Sequence, residues 1–151
     1  MKEKIIICFG LVLLTMHFAF GQNTPGVWTF SAKKISAKEY EVHYSIKVQS
    51  PWHVYSQFTP EGGPLPTSII LNKNPLLLIK SKPTEIGHLK TKHEEVFDVD
   101  VKYFEGNVDF VQRLEIKSNV KTVLKGTVEY MLCNDGQCLP PTKTSFSIPL
   151  Q

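Results

Sequence analysis

The sequence predicts an all-β protein, an antiparallel sandwich or barrel of about eight or nine short strands. Three observations predict it. Apolar and polar residues alternate with a period of two through most segments after residue 26. Gly, Pro and Asn/Asp turn signals punctuate these segments at even spacing. No segment carries the periodicity of an amphipathic helix. With 42% hydrophobic and 21% charged residues, the 151-residue chain suits one soluble globular domain rather than a disordered segment. A domain of this size folds without a disulfide framework. There is no internal repeat or low-complexity tract.

The N-terminus reads as a cleaved secretory signal peptide, residues 1–21. Lys2 and Lys4 give a basic start, residues 5–14 an apolar run, and Ala19-Phe20-Gly21 small residues before a cut at Gln22. The run is short for a membrane span, and no second apolar stretch follows, so no span is expected in the mature chain. Cys8 and His17 leave with the signal. Removal of Lys2, Glu3 and Lys4 leaves 15 basic and 13 acidic residues, a net charge of +2. That balance does not suit nucleic acid. Export places the remaining cysteines in an oxidising compartment, where disulfides persist.

Residues 22–26 form a polar linker, and the folded domain is expected over 27–151. Residues 27–32 begin the first strand, with Trp28 and Phe30 on one face. Residues 39–48 are the clearest strand. Tyr40, Val42, Tyr44, Ile46 and Val48 form a buried face, and His43 falls on the wet face, where solvation is expected. Ser50-Pro51 marks a turn, and residues 52–58 a strand with aromatics on both faces. Residues 59–66 are a Gly/Pro loop. Short apolar strands follow at 67–71 and 76–80, split by an Asn-Lys-Asn-Pro turn. Residues 81–92 are polar and expected to be irregular. From Glu95, Phe97, Val99, Val101 and Tyr103 alternate with Val96, Asp98, Asp100 and Lys102. Glu105-Gly106-Asn107 reads as a hairpin turn into a strand carrying Val108, Phe110, Leu114 and Ile116.

The last hairpin carries the chemistry. Val128, Tyr130 and Leu132 alternate before it, and Phe146, Ile148 and Leu150 after it. Between them lie Cys133 and Cys138 around the turn pair Asp135-Gly136. The cysteines are expected to face each other at a separation a disulfide can span. As a staple the bond would contribute only about 2 kcal/mol, because its ring holds about six residues. As a redox pair it would be exposed where Pro140-Pro141 interrupt the ladder. Spacing alone leaves both readings open.

Other chemistries lack a pattern. The histidines show no carboxylate–His spacing on one element, and two cysteines do not make a structural zinc site, so no metal is expected. There is neither a phosphate loop nor a Gly-x-Ser-x-Gly elbow. The Trp and Tyr residues suit core packing or a carbohydrate platform.

Cys-Asn-Asp-Gly-Gln-Cys-Leu-Pro-Pro-Thr-Lys at 133–143 resembles the N-terminal periplasmic domain family of the thiol:disulfide interchange protein DsbD, also called disulfide-bond corrector domains. Two weaker patches agree, Pro51-Trp52-His53-Val54-Tyr55-Ser56-Gln57 and His93-Glu94-Glu95-Val96-Phe97, and the resemblance spans roughly residue 27 to the end. It implies an immunoglobulin-like β-sandwich and a periplasmic location. It implies a cofactor-free protein thiol-disulfide oxidoreductase with Cys133 and Cys138 as the redox pair. Electrons would come from a thioredoxin-like or DsbD-type donor and pass to periplasmic oxidoreductases. Phe97 would fall near the cap-loop aromatic that shields the cysteines, Glu94 and Glu95 beside that cap, and Tyr55 in the strand lining the site. The chain departs from the family pattern in having four residues between its cysteines, one fewer than expected, and no Gly to shape the cap turn. It carries neither a transmembrane electron-transfer domain nor a thioredoxin-like domain, so a separate donor is expected.

Two functions follow: a thiol-disulfide interchange module, or a secreted binding or adhesion module with a structural disulfide. The first implies a trappable mixed disulfide, with Cys138→Ser expected to prolong it.

Overall fold

A computed structural model describes residues 24–95, 97–118 and 120–151. The expected signal peptide lies outside them. The described residues form ten strands and no helix. These are β1 (Gly26–Lys34), β2 (Glu39–Val48), β3 (His53–Tyr55), β4 (Ser68–Leu71), β5 (Leu77–Ile79), β6 (Thr84–Glu94), β7 (Val99–Ile116), β8 (Thr122–Tyr130), β9 (Leu132–Cys133) and β10 (Thr142–Leu150). All pairings are antiparallel. One sheet of seven strands runs β1-β2-β7-β3-β9, with β5 and β6 on the other edge of β7; the second, of three, runs β10-β8-β4.

The core fills the space between the sheets. β2 contributes Tyr40, Val42, Tyr44, Ile46 and Val48, all buried, as the alternation predicts. They pack with Phe104, Phe110 and Leu114 of β7 and with Leu124, Val128, Phe146 and Leu150 of the small sheet. Trp28 and Phe30 add an aromatic seam, with ring centroids 5.4 Å from Tyr130 and 5.0 Å from Phe146 respectively. His43 is not simply solvated. Its Nδ1 lies 2.7 Å from Asp109 Oδ2, across the β2–β7 pair.

Three expectations are corrected. The polar stretch 81–92 is not irregular, because most of it belongs to β6, which pairs along β7 from Thr84↔Val111 to Glu94↔Val99. β6 is an edge strand with mostly exposed side chains, so backbone pairing shapes it without leaving an apolar period. The strand expected over 52–58 shrinks to His53–Tyr55. Glu105-Gly106-Asn107 is not a hairpin turn but lies inside the 18-residue β7. Gly106 has φ of 70°, and the register with β6 jumps here, from Gly87↔Val108 to Leu89↔Phe104. Its left-handed backbone serves a bulge rather than a reversal. The reversal comes earlier, between β6 and β7, where Asp98 takes φ of 53° and supplies the left-handed residue that the sequence lacks as Gly.

The cysteine segment is the seam between the sheets. β8 ends at Tyr130 in the small sheet; two residues later the chain pairs as β9 with β3 of the large one. It turns, passes Pro140-Pro141, and re-enters the small sheet as β10.

Candidate functional site

The turn itself is built by Asn134. Its Oδ1 accepts from Gly136 N and Gln137 N, both at 2.9 Å, while its own N donates to Gln137 O at 2.9 Å. Leu139 N donates to Leu132 O at 2.8 Å and closes the base of the loop. This geometry puts the Cα atoms of Cys133 and Cys138 4.0 Å apart, and the two sulfurs are bonded. The pairing expected from the hairpin is therefore present. The two cysteines are not equivalent, however: Cys133 is 1% exposed, while Cys138 is exposed.

Strand alternation decides what surrounds Cys133. Val54 of β3, Phe104 of β7 and Leu132 of β9 form one row across the large sheet, pointing into the main core. The neighbouring row, one residue along each strand, is Glu105, His53 and Cys133. Successive side chains point to opposite faces, so this row stands on the outer face. There Cys133 packs in a second cluster with Tyr55 and Val101, against Val99, Tyr103 and Met131. Tyr55, expected from the resemblance to line the site, packs beside Cys133 in this cluster.

The cap residues divide. Glu94 ends β6 opposite Val99, is part-buried, and pairs with Lys92 at 3.1 Å. Glu95 is exposed on the turn. Phe97, 43% exposed, sits in the same turn, with its N bonded to Glu94 O at 3.1 Å. Tyr55 packs with Cys133, Glu94 lies near enough to Tyr55 for its charge to act on it, and Glu95 and Phe97 are exposed on the β6–β7 turn.

Sequence reasoning did not single out His53, Tyr103 or Lys92. His53 is 3% exposed, with Nε2 3.3 Å from Tyr55 Oη and its ring 4.7 Å from that of Tyr103. Lys92 stands 5.7 Å from the centre of the Tyr103 ring. Burial first, then the Lys92 charge, holds the His53 imidazole below its ordinary range, while Asp135, Glu105 and Glu94 pull the other way. Burial, with Glu94 and Tyr103 adding to it, pushes the Tyr55 hydroxyl up to about 12, so it stays protonated. A groove of about 540 Å³ runs beside the cysteine turn, lined by Trp52, His53, Lys92, Tyr103, Glu105 and Asp135. The one signal available for His53 was its place two residues before Tyr55, on the same face of a strand.

Chemically, such a disulfide joins a residue open to solvent, Cys138, to an enclosed one, Cys133. No group of three or more His, Cys, Asp and Glu among the described residues is placed to hold a metal ion. No helix among them is long and apolar enough to cross a membrane.

Fold and site together define an antiparallel β-sandwich with a surface-reaching disulfide at the seam of its sheets. The chain belongs to the family of the N-terminal domain of the thiol:disulfide interchange protein DsbD, whose family model matches residues 24–150. Among solved structures it is similar to the reduced DsbD N-terminal domain of Neisseria meningitidis, at 18% identity and a TM-score of 0.54, over 82% of this chain and 84% of that one. It is also similar to a chain in the complex between the DsbD and PilB N-terminal domains of the same organism, at 16% identity and a TM-score of 0.51, over 81% and 80% of the two chains. The fold is the immunoglobulin-like one of these domains. No curated protein matches the chain.

Proposed function

We propose that the protein is an exported thiol-disulfide interchange module. It passes reducing equivalents between periplasmic proteins through Cys133 and Cys138, acting as a protein-disulfide reductase without a cofactor. The observation that carries this reading is the asymmetry of the pair, with Cys138 exposed and Cys133 buried. A staple needs no such arrangement, whereas exchange needs one attackable sulfur and one protected resolving sulfur. Family membership supports the same chemistry, and the Neisseria complex offers a precedent for docking on another protein domain.

A donor thiolate of thioredoxin type attacks Cys138 Sγ, and the S–S electron pair leaves on Cys133. A second donor thiolate then attacks the donor's own sulfur in the mixed disulfide and frees Cys138. The dithiol is next spent on a periplasmic oxidoreductase. In this scheme Phe97, Glu94 and Glu95 form a cap at the β6–β7 turn, and Tyr55 forms the wall. The variant expected to preserve a trapped adduct in this scheme is Cys133→Ser, which removes the resolving sulfur and leaves the exposed Cys138.

The test is the reduction potential of the pair, measured with trapping by Cys133→Ser. A potential within roughly −120 to −270 mV, together with a mixed disulfide to an exported thiol protein, is the expected result. A potential below about −300 mV with no adduct would return the disulfide to a structural role.

A further inference from the structure

We infer that His53 is the proton acceptor for the buried Cys133 thiol when Cys133 resolves the mixed disulfide at Cys138. This role presupposes the interchange reading and gives it a residue outside the cysteine pair. His53 and Cys133 are direct partners in the antiparallel β3–β9 pair. Residues so opposed project to one face with Cβ atoms about 4.5–5.5 Å apart. On the other side of His53, in the same row, stands Glu105 of β7.

Cys133 needs such a partner. The thiolate is the nucleophile in exchange. A thiol 1% exposed reaches no bulk base, and burial disfavours its ionised form. The imidazole beside it is equally enclosed, and its Nε2 is fixed by Tyr55 Oη at 3.3 Å. Every element around His53 brings a polar or charged group. Lys92 and Glu94 come from β6, Tyr103 and Glu105 from β7, Tyr55 from β3 itself and Asp135 from the cysteine turn. Burial and Lys92 outweigh the three carboxylates and hold the imidazole below its ordinary range, which leaves the ring uncharged and able to take a proton near neutral pH. Glu105 is itself shared with Lys90, 2.6 Å away.

The step balances. The Cys138 thiolate attacks an acceptor disulfide, forms the mixed disulfide and releases one acceptor thiolate. Cys133–SH gives its proton to His53. The Cys133 thiolate then attacks Cys138 Sγ, the protein disulfide forms, and the second acceptor thiolate leaves and takes up the proton. Two electrons pass from the protein dithiol to the acceptor disulfide.

The experiment mixes reduced protein with 5,5′-dithiobis(2-nitrobenzoate) and follows the release of two thiobenzoate anions. The first reports attack by Cys138, the second ring closure by Cys133. In His53→Gln the second phase is expected to slow roughly 100-fold at neutral pH and its pH midpoint to rise, with the first phase unchanged. A second phase of unaltered rate and pH profile overturns the role and leaves interchange standing. Absence of both phases in the native protein sinks the interchange reading itself. Should His53→Gln not fold, the ring of His53 is titrated by NMR in the oxidised and reduced native protein. A titration that differs between the two states is expected, and identical titrations overturn the role.

Discussion

The protein buries side chains in two places, and they are buried for different ends. Between the sheets, Phe104, Phe110, Leu124 and Val128 are covered from both sides. Polar groups there are neutral and mostly paired within the core: Tyr44 Oη donates to Gln112 Oε1 at 3.1 Å, and Gln112 Nε2 donates to Ser81 O at 2.6 Å, while Trp28 Nε1 is buried without a partner among the described residues. On the outer face Tyr55, Val101 and Cys133 are just as inaccessible, yet the large sheet backs them on one side only. Their neighbours are titratable: His53, Lys92, Glu94 and Glu105. Equal burial thus describes a packed interior in one case and a thin, charged lining around a disulfide in the other.

That contrast can be broken at either end. The largest effect is expected from Phe110→Ala, which opens a cavity against Trp28 and Phe104. Denaturant unfolding is expected to show a loss of about 3–5 kcal/mol with the reduction potential unmoved; a changed potential would mean that the two regions are coupled. Next comes Cys133→Ser with Cys138→Ser. It is expected to abolish the proposed exchange and to cost only about 2 kcal/mol. A loss nearer that of Phe110→Ala would make the outer cluster a pillar of the fold. The smallest effect is a pH dependence. Burial lowers the His53 pKa in the folded protein, so its unfolded form binds protons more readily. Its stability contribution is complete above about pH 6.5 and is lost as the pH falls toward the folded value. Unfolding midpoints of native protein should drop through that window more steeply than those of His53→Gln. Parallel curves would show that His53 titrates alike in both states.

What could be read in advance followed the same division. β2, β8 and β10 were legible because each lays one face on the interior, and Tyr40 to Val48 or Val128 to Tyr130 print that burial as a period of two. β6 was illegible because its order comes from backbone bonds to β7, which any residue supplies. Gly106 misled because a left-handed glycine suits a bulge as well as a turn. The cysteines announced themselves by spacing and turn residues. His53 did not, because its partner Cys133 belongs to a two-residue strand far along the chain, and no local pattern encodes such a pairing.

The loop at the seam has one more consequence. Besides the disulfide, Cys133 is pinned by its ladder with β3, and the far arm is clasped by the Leu139–Leu132 and Asn134–Gln137 bonds. If these bonds persist on reduction, the backbone would keep the two thiols at a high effective concentration. In the proposed exchange, ring closure would start from a loop already closed, and an acceptor on Cys138 would compete against a sulfur held beside it.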